Sequence, residues 1–106
     1  MNTNLIQFDA LPWETPSPGV KQKIVIKDHQ RLRILQFDDQ FVEEQWCTKA
    51  HVGFVVSGTM TIDFDGTIKQ YVKGDGLWID AGESQKHKVM MGKGCKVELI
   101  LFEKAP

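Results

Sequence analysis

From residue 23 onward, apolar and polar side chains alternate with a period of two, the repeat of a half-buried β-strand. KIVIK (23–27) is short and β-branched. In RLRILQF (31–37), Leu32 and Ile34 share one side, and Leu35 and Phe37 the other. TMTIDFDG (59–66) is the most regular segment, with Met60, Ile62 and Phe64 facing one way and Thr59, Thr61 and Asp63 the other. It closes on Asp65-Gly66 and is followed by Thr67-Ile68. A tight hairpin needs positive φ at both central residues, which an Asp-Gly pair supplies, so a hairpin is predicted here. Strands continue over 76–80, 86–91 and 95–103, separated by Gly82 and by Gly92-Lys93-Gly94. About nine short strands at even spacing with glycine turns predict an all-β sandwich or barrel.

Two stretches depart from this pattern. DDQFVEEQW (38–46) has an acidic start and good helix formers but no apolar face at helical spacing, so it reads as strand rather than helix. DALPWETPSPGV (9–20) holds three of the four prolines and reads as an extended, irregular arm. The expected organisation is therefore an N-terminal arm over 1–22 and one barrel domain over 23–106. Trp13 is expected to pack on the barrel or on a partner chain.

Composition narrows the function classes. The chain has 106 residues, 42% apolar and 25% charged, with 13 basic and 14 acidic side chains. The near-balanced charge predicts no nucleic-acid surface. The longest apolar runs, such as Leu99–Phe102, are far short of the ~20 residues that span a membrane. The N-terminus carries no secretion-signal pattern. Two cysteines, Cys47 and Cys95, cannot frame a disulfide scaffold and are expected as reduced thiols in a cytoplasmic protein. Phosphate loops, dinucleotide fingerprints and nucleophile elbows are absent from the sequence.

Two segments carry a resemblance. QWCTKAHVGFVVSG (45–58) and GDGLWIDAGESQKHKV (74–89) are separated by fifteen residues that contain the Asp-Gly hairpin. Their order, spacing and shared hairpin resemble the paired motifs of the cupin superfamily. That resemblance implies a single-domain, all-β cupin barrel, a double-stranded β-helix or jelly roll. Counting back from Gly58, the family's motif glutamate falls on His51, its second histidine on Cys47 and its first on Gln45; the second motif's histidine is His87. The usual first-motif ligands are thus replaced, leaving a Cys47, His51 and His87 set with Gln45 beside it.

Such a set implies one divalent metal ion (zinc, iron, nickel or manganese) or none. A thiolate with two imidazoles suits zinc, although these donors alone do not select a metal. Gln45, Cys47 and His51 share strand parity and are expected to point into the barrel mouth, where one small ligand or ion fits. Each also has an inert reading: a rim histidine, a surface histidine among lysines, a small buried thiol or a polar wall residue. Trp46, Phe54, Trp78 and Met90 are candidates to line the cavity, with Gln45, Trp78 and Met90 placed against the ligand. Lys49 and Asp80 are expected near the rim. Glu43 and Glu44 read as a solvated strand end, His29 as an exposed turn residue, and Cys95 as structural. Two functions stand side by side: a barrel binding a small molecule without chemistry, and a metal-dependent enzyme of dioxygenase or isomerase type acting on a small polar substrate. A homodimer is expected, because strand edges and an arm bearing Leu11 and Trp13 need cover.

Overall fold

The computed structural model describes residues 4–105. Eight strands make up the described chain, one fewer than the spacing suggested: β1 (Glu14–Ser17), β2 (Val20–Lys27), β3 (Gln30–Phe37), β4 (His51–Phe64), β5 (Thr67–Val72), β6 (Gly76–Ile79), β7 (Lys88–Met90) and β8 (Val97–Lys104). All pairings are antiparallel, and the main path runs β1-β2-β3-β8-β4-β5, with β6 and β7 both pairing with β4. The first half of β4 pairs with β8 and β6, and its second half with β5 and β7. One long strand therefore belongs to both walls of a curled sheet.

The change of wall occurs at a bulge, where the β4–β8 register shifts between Val55 and Ser57. Gly58 follows with φ +78°, and a Cβ there would lie 2.0 Å from the Lys96 carbonyl oxygen. Only glycine tolerates both the backbone angle and this approach. The predicted hairpin is present: Phe64 pairs with Thr67 across Asp65 (φ 53°) and Gly66 (φ 107°).

The core is the inward stripe of each strand: Leu35 and Phe37 from β3, Val55, Met60 and Ile62 from β4, Leu77 and Ile79 from β6, and Val97, Leu99 and Leu101 from β8. Across β2, β3, β8, β4 and β6 the side chains form rows. One outward row runs through Val25, Leu32, Phe102, Val52 and Trp78. The neighbouring inward row runs through Arg31, Glu103, His51 and Ile79, and on β2 it ends at the exposed Ile26.

Two expectations need revision. Residues 38–46 form neither strand nor helix; Val42 makes only an isolated bridge to Met90. Asp38 is the cause, because its Oδ1 accepts from the Gln40 amide and its carbonyl from the Phe41 amide, turning the chain at once. The arm is also more ordered than its prolines suggested. β1 pairs with β2 through Glu14–Gln22 and Ser17–Val20, and Val20 is buried in the core, so the sheet begins before residue 23. Pro16 is tolerated because β1 is an edge strand. Lys23 donates from Nζ to the Phe8 carbonyl at 2.8 Å and lies 4.7 Å from the Trp13 ring, which places Trp13 on the barrel. No helix among the described residues is long and apolar enough to cross a membrane.

Candidate functional site

A cavity of about 430 Å³ lies inside the barrel, lined by apolar side chains such as Leu35, Phe37 and Leu99 and by the residues with which the inward stripes turn polar. Cys47, His51 and His87 line it together with Glu43, Lys49, Arg31, Arg33 and Glu103. Three elements bring the first three residues together. Cys47 and His87 exchange both backbone hydrogen bonds, at 2.9 and 3.0 Å, and so stand directly opposite each other. His51 opens β4, in the same inward phase as Val55. Its Nε2 lies 3.5 Å from Cys47 Sγ, and its ring meets that of His87 edge-on at 5.1 Å between centroids. One potential ligand atom from each of the three residues lies within 4.8 Å of the other two.

The other nitrogen of each imidazole is already engaged. His51 Nδ1 lies 2.8 Å from Glu103 Oε2, and His87 Nδ1 lies 3.1 Å from the Gln85 carbonyl oxygen. Both acceptors fix the proton on Nδ1 and leave Nε2 as the nitrogen available to the site. Glu103 is in turn gripped by Arg31, through Nε at 3.2 Å and Nη2 at 2.9 Å, and by Arg33 Nη2 at 3.1 Å.

These contacts set the charges. Hydrogen bonds from His51 and then His87 bring the Cys47 thiol down to about 5 against the opposing effect of burial. Burial disfavours the His51 imidazolium, yet its bonds to Cys47 and Glu103 prevail and raise it to about 9. His87 is raised as well, chiefly by Cys47. Burial opposes ionisation of Glu103, but His51, Arg33 and Arg31 together hold it at about 2. Glu43 is raised by burial, which outweighs the hydrogen bond its Oε1 accepts from the Val89 amide at 2.7 Å. The cluster is therefore a thiolate beside an imidazolium, with a carboxylate and two guanidiniums behind them.

This donor chemistry fits a divalent cation. The thiol ionises readily, and a cation competes with the single proton shared between Sγ and Nε2. Cys47, His51 and His87 lie close enough to hold a metal ion.

The remaining expected residues divide. Lys49 lines the cavity, whereas Asp80 does not. Gln45, Trp78 and Met90, expected against the ligand, all lie outside it. Gln45 is exposed on an outer groove with Trp46, because the chain between Glu43 and Cys47 is irregular and strand parity does not carry through it. Trp78 is 78% exposed, since its neighbours Leu77 and Ile79 take the inward positions of β6. Met90 faces out because Val89 faces in. Phe54 also points outward, and Trp46 packs outside under Lys86 and Lys88. The KHK segment thus carries its lysines outward, while His87 itself is 3% exposed. His29 is exposed in the β2–β3 turn, and Cys95 lies off the cavity.

Arg31, Arg33, Glu43 and Glu103 were missed as site residues. Three of them had a readable signal. Arg31 and Arg33 share the parity of Leu35 and Phe37, and Glu103 that of Val97, Leu99 and Leu101, so each is a charge in phase with a buried stripe.

Solved structures of related shape settle the architecture. RemF, a polyketide cyclase from Streptomyces resistomycificus, superposes with a TM-score of 0.81 at 15% identity, over 98% of this chain and 80% of its own. An RmlC-like cupin from Shewanella frigidimarina gives 0.77 at 17% identity, over 98% and 92%. The chain has the cupin fold. KdgF from a Halomonas species gives 0.72 at 19% identity, over 90% and 87%. No family model and no curated protein sequence matches the chain. A shared cupin barrel at these identities fixes the scaffold and leaves the reaction to the site.

Proposed function

We propose that this cupin barrel holds one divalent metal ion, zinc foremost, on Cys47 Sγ, His51 Nε2 and His87 Nε2, and acts there on a small polar molecule. One observation carries this reading: both imidazoles have Nδ1 tied to an acceptor, Glu103 and Gln85, while a readily ionised thiol sits within ligand distance of their free sides. Structural and catalytic metal sites orient their histidines in this way. When bound, such a cation acts as a Lewis acid that polarises a carbonyl or lowers the pKa of a coordinated water.

The chain's own residues supply the rest. Glu103 orients His51, and Arg31 and Arg33 hold Glu103 in place. Glu43, raised by burial and facing the same cavity, is placed to accept a proton from a bound molecule. The apolar wall, including Leu77, Ile79 and Met60, excludes water from one side of the ligand.

Elemental analysis of protein purified without a histidine tag tests the reading. The expected result is one equivalent of metal per chain, lost in both His51→Ala and His87→Ala and retained in Cys95→Ser. Protein that stays metal-free after incubation with zinc and dialysis would overturn it in favour of a metal-free binding barrel.

A further inference from the structure

A sheet face that meets water places polar side chains between the buried ones, and the second half of β4 does so with Thr59, Thr61 and Asp63. The face built by β8, the first half of β4 and β6 does not. LILF (99–102) and GLWI (76–79) are uninterrupted apolar runs, the pattern of strands covered on both sides. Their inward members, Leu99, Leu101, Leu77 and Ile79, lie in the core. Their outward members lie open: Trp78 is 78% exposed and Phe102 50%, with Phe54 of β4 at 47%. Val52 stands between Phe102 and Trp78 in register, and Ile100 opposite Phe54, so the patch is continuous.

The chain covers only the far side of this face. On β2 the outward Lys23 is buried, bonded to the Phe8 carbonyl and lying against Trp13 of the arm. The three aromatic side chains left bare expose roughly 400 Å², about half of the ~800 Å² that each partner gives to a standard interface, whose other half is a polar rim.

The shape of the face indicates what fits it. A groove of about 940 Å³ runs past Ala50, Val52, Ala81 and Phe102. Val52 pairs with Trp78, so the projecting indole and the recess share one surface. A surface that carries both a knob and a recess suits a two-fold axis, which sends each knob into the other copy's recess. The groove's rim carries both signs, Asp28 as well as Lys49 and Lys104, so two copies can meet without an excess of like charge.

We propose that this face is the interface of a homodimer, in which Trp78 of each copy seats in the groove beside Phe102 and Ala81 of the other. The arm, whose Trp13 already packs on its own barrel, is not the contact. Arg31, Lys49 and Glu103 line the groove as well as the cavity, so the seated copy borders the candidate site. The interface does not depend on a metal ion.

Sedimentation equilibrium of the full chain in EDTA, where no metal can bridge copies, tests this. At about 50 µM, above the dissociation constants usual for interfaces of this size, the expected mass is twice the 12.1 kDa of the chain. Trp78→Lys is expected to raise the dissociation constant at least about thirtyfold, the effect of losing an interface hot spot. Ala81→Arg, which fills the groove, is expected to weaken the dimer as well. Ile68→Lys, on the outer side of β5, is expected to leave it intact. All three positions are exposed, so the barrel should fold in each variant, and circular dichroism checks that it does. A wild-type monomer at that concentration overturns the inference and leaves the face to a different partner. A dimer that survives either Trp78→Lys or Ala81→Arg, or one weakened equally by Ile68→Lys, overturns it too.

Discussion

The two ends of the barrel interior are built on the same strands and filled by opposite chemistry. At one end β3 contributes Leu35 and Phe37, β8 contributes Val97 and Leu99, and β4 contributes Val55. At the other end the same inward phase continues as Arg31 and Arg33 on β3, Glu103 on β8 and His51 on β4. The apolar end is held by non-directional burial, in which each side chain contributes separately. At the polar end Glu103 pairs with Arg31, Arg33 and His51, and removing it leaves those three groups unpaired where they are largely buried. Strand periodicity thus decides which side chains enter the barrel, and pairing decides whether a charged one can remain there.

The sharpest way to break this contrast is Glu103→Ala. Its side chain is 5% exposed and is shared by Arg31, Arg33 and His51. Losing it leaves those groups unpaired at a cost of about 3–5 kcal/mol in urea denaturation. A loss below about 1 kcal/mol would mean the polar end does not depend on the carboxylate.

Leu99→Ala is the matching cut at the apolar end. Leu99 is 2% exposed, so about 2–4 kcal/mol is expected from lost burial and the cavity left behind. Metal content should be unchanged, because Leu99 belongs to the cavity's apolar wall and is none of the three candidate ligands; loss of metal would show that the two ends are not separable.

Acid should act on one end only. The Glu103 carboxyl is lowered from 4.5 to about 2, so its contribution to stability is complete above its unfolded value and is lost as pH falls from about 4.5 through 2. The difference in stability between the wild type and Glu103→Gln should shrink by roughly 2–3 kcal/mol over that window, while the cost of Leu99→Ala stays constant. A constant Glu103→Gln difference would contradict the ion cluster.

The thiols allow a finer comparison. With its thiol brought down to about 5, Cys47 should be alkylated by iodoacetamide at pH 7 well ahead of Cys95, and zinc should protect it. Equal labelling of both cysteines by mass spectrometry would remove the thiolate from the site. The smallest effect belongs to Gln45→Ala, which lies outside the cavity and should change stability by less than about 0.5 kcal/mol and metal content not at all.

Much of this was legible in one dimension. The alternation of Met60, Ile62 and Phe64, the Asp65-Gly66 turn and the spacing of the two motifs specify an antiparallel barrel, because strand period and turn chemistry are local properties. The same motifs pointed to Cys47, His51 and His87. Trp78 and Met90 were misplaced because they sit in all-apolar runs, GLWI and VMM, where no polar residue marks the outer face. Gln45 was misplaced because parity was carried through a segment that Asp38 had already turned out of the sheet.

What the sequence determined by itself was therefore most of the strands after residue 23, the hairpin and the three residues that could share a ligand. What only the tertiary structure decided was the environment of those residues. Glu103 is 52 residues from His51 and 72 from Arg31, and nothing local to any of them announces the other two. Their row exists because β8, the last strand, inserts between β3 and β4. Registration across strands distant in sequence is a property of the assembled sheet, and it is there that a thiol, two imidazoles and two guanidiniums become one cavity.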